Sequence, residues 1–118
     1  MEHRLAPLTW AALATWVTVL SAASGAAWAD QAKPSPGHAL AQRQGCLGCH
    51  AAQTQLLGPA YAAVAERYRD QKDAAAEVAR HIRAGSSGRW GTVPMPPQAQ
   101  LSEADAGRLA KWILSGAK

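Results

Sequence analysis

The chain holds two cysteines, Cys46 and Cys49, three positions apart in "GCLGCH", and His50 follows at once. Sulfur and imidazole at this spacing suit several chemistries. A disulfide here would close a very small loop, and the entropic gain from a crosslink shrinks with the loop it closes. A thioredoxin-like dithiol needs a strand–helix–strand frame, and no segment alternates like a strand. A structural zinc site needs a closed tetrahedral ligand set. The chain offers no second cysteine pair and no neighbouring histidine pair, and His38 and His81 are distant.

The remaining chemistry is covalent haem attachment, for which Cys-x-x-Cys-His is the c-type signature. The spacing has a mechanical reason. The two sulfurs must reach two vinyl groups on one edge of the porphyrin. The next residue must turn its imidazole over the ring centre to meet the iron. Cys46 and Cys49 would then carry haem c through thioethers, and His50 would bind its iron.

A second axial ligand must come from elsewhere. Met1 and Met95 are the only methionines. Met95 stands in "VPMPP", where Pro94, Pro96 and Pro97 restrict the backbone on both sides. Methionine more often fills a gap in a core. A proline-flanked methionine 45 residues after His50 instead suits a stiff loop presenting its sulfur to iron. The competing arrangements are a second histidine, His38 or His81, or an open position. His38 lies 12 residues before His50, on a helix that would enter the same side of the ring, which places it badly. A thioether favours ferrous iron and raises the potential relative to bis-histidine ligation. Iron ligated on both faces has no place for a substrate, so this reading is an electron carrier and not an enzyme. Departure of Met95 would make the alternative, a haem enzyme or gas sensor.

Several elements must position these groups. The first residues carry Arg4, the apolar run "WAALATWVTVL" and a small-residue end with Ala27 and Ala29. This pattern predicts a signal peptide, residues 1–29, cleaved before Asp30. Retention as an anchor competes with it, but the run falls short of the ~20 apolar residues a span needs. Thioether formation on the far side of the bacterial inner membrane requires such export, and the expected location is the periplasm. Residues 30–37, "DQAKPSPG", read as a flexible tail, and residues 38–118 as one small domain. The formal charge is +4, with basic residues scattered rather than clustered. That argues against nucleic acid. It leaves a solvated basic surface, or steering towards an acidic protein or an anionic membrane face. The chain has no phenylalanine, and alanine dominates its apolar residues, at about half of them. So small a core is marginal unless something large fills it.

Helical signals follow the tail. Gly37–Gln44 reads as a short helix with Leu40 inward. Gly58-Pro59 breaks the chain, and Tyr61, Val64, Ala65 and Tyr68 then fall at helical spacing. Asp73 suits an N-cap, Val78, Ala79 and Ile82 form a stripe, and Gly85 suits the end of that helix. "GSSGRWGTVPMPPQAQ", residues 85–100, is a long stretch without periodicity, and loops of that length are usually functional or disordered. Ser102 and Asp105 form a capping-box pattern. Leu109, Ala110 and Ile113 make the apolar face of a last helix, and Gly116 marks its end. The class is all-α.

Taken together, "GCLGCH", "LLGPAY", "GSSGRWGTVPMPP" and "LAKWILS" make residues 39–114 similar to the small bacterial class I cytochromes c. These are short monohaem carriers of respiratory and denitrifying chains. The resemblance implies the class I cytochrome c fold, with short helices wrapped around one covalent haem. It implies axial bonds from His50 and Met95, and a Pro59 carbonyl accepting a hydrogen bond from His50 Nδ1. It also implies that Trp90 points its indole N–H at a haem propionate. His81 falls where relatives carry an arginine or histidine near a propionate, and Gln98 where an amide can donate to the methionine sulfur. The implied partners are a membrane bc1-type donor and a nitrite reductase or terminal oxidase acceptor, met by a monomer through Leu47, Leu57, Pro94 and Pro97 near the haem edge. Two departures stand out. Ala41 replaces a phenylalanine common in relatives, so that Leu40 and Trp112 must fill the contact between the first and last helices. One extra residue falls near Gln100.

Overall fold

The computed structural model describes residues 32–118. The predicted signal segment, residues 1–29, lies outside them. The described chain forms four α-helices: α1 (Pro36–Arg43), α2 (Tyr61–Arg67), α3 (Ala74–Ala84) and α4 (Glu103–Leu114). A 3-10 turn spans Cys46–Gly48. Among the described residues there is no strand, and one isolated antiparallel bridge joins Ser86 and Met95. No described helix is long and apolar enough to cross a membrane.

Each helix has a local cause. Helix α1 starts with Pro36, whose fixed φ suits a first turn, and Ser35 Oγ accepts from the His38 backbone N–H at 3.4 Å. Pro36 and Gly37 are therefore helical rather than part of a tail. Helix α4 begins at Ser102, whose Oγ accepts from Asp105 N at 3.0 Å. Only that half of the capping box forms through Ser102, because the Asp105 carboxylate pairs with Arg108 at 2.7 Å. Asp73 holds the N-cap position of α3 without a side-chain cap bond, and Gly85 ends that helix with φ of 74°.

Helix α4 is the spine, and α1, α2 and α3 all pack on it. Leu109 and Ala110 are sealed at its centre. Opposite them lie Leu40, Val64, Tyr68, Val78 and Ile82, all buried. The α1–α4 contact is built on smallness. Ala41 is fully buried, and Trp112 lies so close to Gly37 that a Cβ there would meet its Cγ at 2.2 Å. Tyr61 packs against the Trp112 ring at 5.2 Å, edge to face, and His38 does so at 6.0 Å. Leu40, Ala41 and Trp112 belong to one buried cluster.

Candidate haem site

The motif is held by short-range backbone bonds. Gly45 takes φ of 75°, which turns the chain out of α1 into the 3-10 turn. The Cys46 carbonyl then accepts from both Cys49 N (3.2 Å) and His50 N (3.0 Å). Farther on, Gly58 N donates to Cys49 O at 2.8 Å, and Tyr61 N to Ala51 O at 3.0 Å. These bonds fold residues 50–60 back on themselves and bring Pro59 to His50. His50 Nδ1 lies 2.8 Å from the Pro59 carbonyl oxygen. A carbonyl only accepts, so Nδ1 carries the proton and donates, which leaves Nε2 as the free lone pair for a metal. The Tyr61 ring stacks on the imidazole at 5.2 Å, 14° from parallel. Gly58 closes the other side, where an added Cβ would meet His50 Cε1 at 2.4 Å.

Cys46 and Cys49 are free thiols, the first half-buried and the second exposed. Burial pushes the Cys46 thiol up, with the neighbouring Cys49 adding to the shift and a backbone hydrogen bond opposing it. Among the described residues no group of three or more His, Cys, Asp or Glu side chains could hold a metal, so zinc finds no ligand set there.

Cys46, Cys49, His50, Pro59, His81, Trp90 and Met95 all line one cavity of about 290 Å³. Val64, Val78, Ile82, Leu109 and Ile113 supply apolar wall. Two thiols and an oriented imidazole at one apolar cavity, with a thioether on its lining, fit a flat, largely apolar metal macrocycle. Met95 is fixed through its backbone, because Ser86 N donates to Met95 O at 3.0 Å and Met95 N to Ser86 O at 2.8 Å.

His81 Nδ1 lies 3.5 Å from the Tyr68 hydroxyl. Burial lowers the His81 pKa, Arg89 and Arg80 lower it further, and Glu77 partly offsets them. Gln98 lines the cavity, but its amide is engaged elsewhere: Nε2 donates to Pro96 O at 3.2 Å, and Oε1 accepts from Gln100 at 2.9 Å. Among the described residues this amide makes no bond to the methionine sulfur. Tyr61 against His50, and Tyr68 and Arg89 on the cavity wall, were absent from the sequence reading. The helical spacing marks Tyr61 and Tyr68 as inward-facing, but nothing marks what they face.

This helical wrap around a Cys-x-x-Cys-His cavity defines a class I cytochrome c. A family model described as Cytochrome c matches residues 34–117, and the chain belongs to that family. It is 47% identical over 76 residues to cytochrome c-552 of Nitrosomonas europaea, covering 64% of this chain and 74% of that one. It is 45% identical over 89 residues to cytochrome c-551 of Pseudomonas aeruginosa, covering 75% of this chain and 80% of that one. The crystal structure of wild-type Nitrosomonas europaea cytochrome c552 superposes with a TM-score of 0.64, at 47% identity, over 65% of this chain and 95% of the other. The cofactor is accordingly haem c with its iron, and Cys46 and Cys49 fit its attachment motif. The family supports a haem-based electron carrier that works with redox partners.

Proposed function

We propose that this chain is a periplasmic single-electron carrier with His50 and Met95 as the axial ligands. The observation that carries the reading is the 2.8 Å bond from His50 Nδ1 to the Pro59 carbonyl, at a cavity that Met95 also lines. When bound, haem c supplies a one-electron change between ferric and ferrous iron. The chain's residues do the rest. Pro59 and the Tyr61 ring fix the imidazole plane, and the donated N–H makes the ligand more basic. The Met95 thioether favours the ferrous state. Apolar walls keep water away. Trp90, and His81 as a neutral Nε2–H donor, serve the haem carboxylates.

Electrons pass to partners at an apolar mouth. Leu57 and Val93 line the cavity while 64% and 56% exposed, and Leu56 beside them is 48% exposed. With Pro94 they form a small patch suited to brief encounters, which typically bury under about 1,200 Å². Leu47 instead packs against the core. In this reading residues 1–29 are removed on export, and a monomer travels between a bc1-type donor and a nitrite reductase or terminal oxidase.

Met95→Ala tests the reading. The oxidised protein should lose the weak far-red band of iron–methionine bonding, its potential should fall, and the reduced protein should bind carbon monoxide. A wild-type protein that lacks the band and takes up carbon monoxide readily would instead be a haem enzyme or gas sensor.

A further inference from the structure

The long loop that carries both Trp90 and Met95 is closed at its base by the paired backbone bonds of Ser86 and Met95. Nothing in that bridge fixes its far end. Two arginines, neither marked by spacing, do so in opposite directions. Arg67, the last residue of α2, reaches over the loop. Its Nη1 donates to the Arg89 carbonyl at 2.6 Å, and its guanidinium carbon sits 4.6 Å from the centre of the Trp90 ring. Arg89 reaches back. Its Nη2 donates to the Tyr68 hydroxyl at 3.1 Å and to Glu77 Oε1 at 2.7 Å.

We propose that Arg67 and Arg89 are positioning residues for Trp90, a crossed clasp that locks loop residues 89–90 onto α2 and α3. The chemistry of the two ends explains why arginine stands at both. A planar guanidinium can lie over an indole and still donate within its own plane to a carbonyl. An ammonium could do only one of these well. At the other end one guanidinium nitrogen bridges a buried hydroxyl and a carboxylate. That leaves the Arg89–Glu77 pair, only 36% and 27% exposed, better shielded than the Arg108–Asp105 pair on α4. The clasp acts on Trp90 alone, because Met95 has its own backbone tie. Its consequence for the haem carboxylates rests on the proposed role of Trp90.

The test uses the haem-loaded protein and the indole N–H protons seen by NMR. Trp112 is an internal reference, since its Nε1 donates to the Lys118 carbonyl at 3.1 Å and touches no clasp residue. Arg67→Gln and Arg89→Gln should each speed solvent exchange of the Trp90 indole proton by about three- to tenfold, the loss of one exposed cation–π contact or hydrogen bond. Exchange at Trp112 should stay unchanged and the far-red methionine band should persist. Arg67→Lys should recover part of the protection. Unchanged exchange at Trp90, or equal acceleration at Trp112, would overturn the clasp. The reduction potential separates the two proposals. Faster Trp90 exchange with a shifted potential supports both, whereas faster exchange with an unmoved potential keeps the clasp and removes Trp90 from the carboxylates.

Discussion

The two segments that bring His50 and Met95 to the cavity are built differently. Residues 45–62 are stitched by their own backbone, with His50, Gly58 and Tyr61 tied to partners about ten residues away or fewer. Residues 85–98 have a comparable base in the Ser86–Met95 bridge, and Gln98 N donates to Ile82 O at 3.1 Å. Beyond that base the loop leans on side chains from α2 and α3. The first segment can form early and from local contacts. The second depends on contacts with packed helices, and it is the part expected to open first. A carrier gains from this division. On the proposed ligation, His50 would be anchored together with the attachment cysteines, while Met95 would reach the iron from a loop held separately.

Substitution at the glycine under each segment should break the two independently. The larger effect belongs to Gly85→Ala. An added Cβ would meet the Met95 carbonyl oxygen at 2.7 Å and Pro97 N at 2.9 Å, both backbone atoms. Gly85 also has φ of 74° and ψ of 173°, a conformation closed to alanine at little cost. The combined loss should be on the order of 2–5 kcal/mol in denaturant unfolding. The far-red band should vanish at lower denaturant than helical circular dichroism does. Simultaneous loss of both signals would mean that the loop has no stability of its own.

Gly58→Ala should do less, because the contact is with one ring rather than with backbone. Yet that ring has nowhere to go: the new Cβ would lie 2.4 Å from Cε1, while Pro59 holds Nδ1 and Tyr61 covers the face. A loss of about 1–3 kcal/mol is expected, with faster exchange of the His50 Nδ1 proton and the methionine band retained. Disappearance of the band in this variant would show that the segments are coupled.

The same division explains what was legible in the sequence. The apolar spacings, Gly85, Ser102 and the Gly58-Pro59 break located three helices to within a residue or two, because capping and periodicity are local. The bond from His50 to Pro59 was legible through the family resemblance, and its two residues are only nine apart. The clasp was not. Arg67 and Arg89 are 22 residues apart, and each reads in isolation as an ordinary solvated cation. Gly37 under Trp112 escaped for the same reason, since a close approach between α1 and α4 leaves no mark on either helix alone. Gln98 instead turns its Nε2 to the Pro96 carbonyl two residues away, a local choice that its spacing from Met95 does not announce.

The smallest effect concerns pH and falls on the loop side. His81 is faced by Tyr68 at the C-terminal cap of α2, by Arg89 from the loop and by Glu77 and Arg80 from its own helix. Burial and the two arginines hold its pKa below the ordinary 6.5, against the pull of Glu77. The sign follows. Folding favours the neutral ring, so its contribution to stability is whole above 6.5 and is lost as pH falls through the lower folded value. His81→Gln should slightly flatten the decline in stability below pH 6.5. NMR titration of the ring in the haem-loaded protein should return a value below 6.5 where burial and the arginines outweigh Glu77 and a neighbouring haem carboxylate, both of which raise an imidazole pKa. A value above it would mean that the carboxylate holds a charged imidazolium. The potential should then follow the protonation of His81.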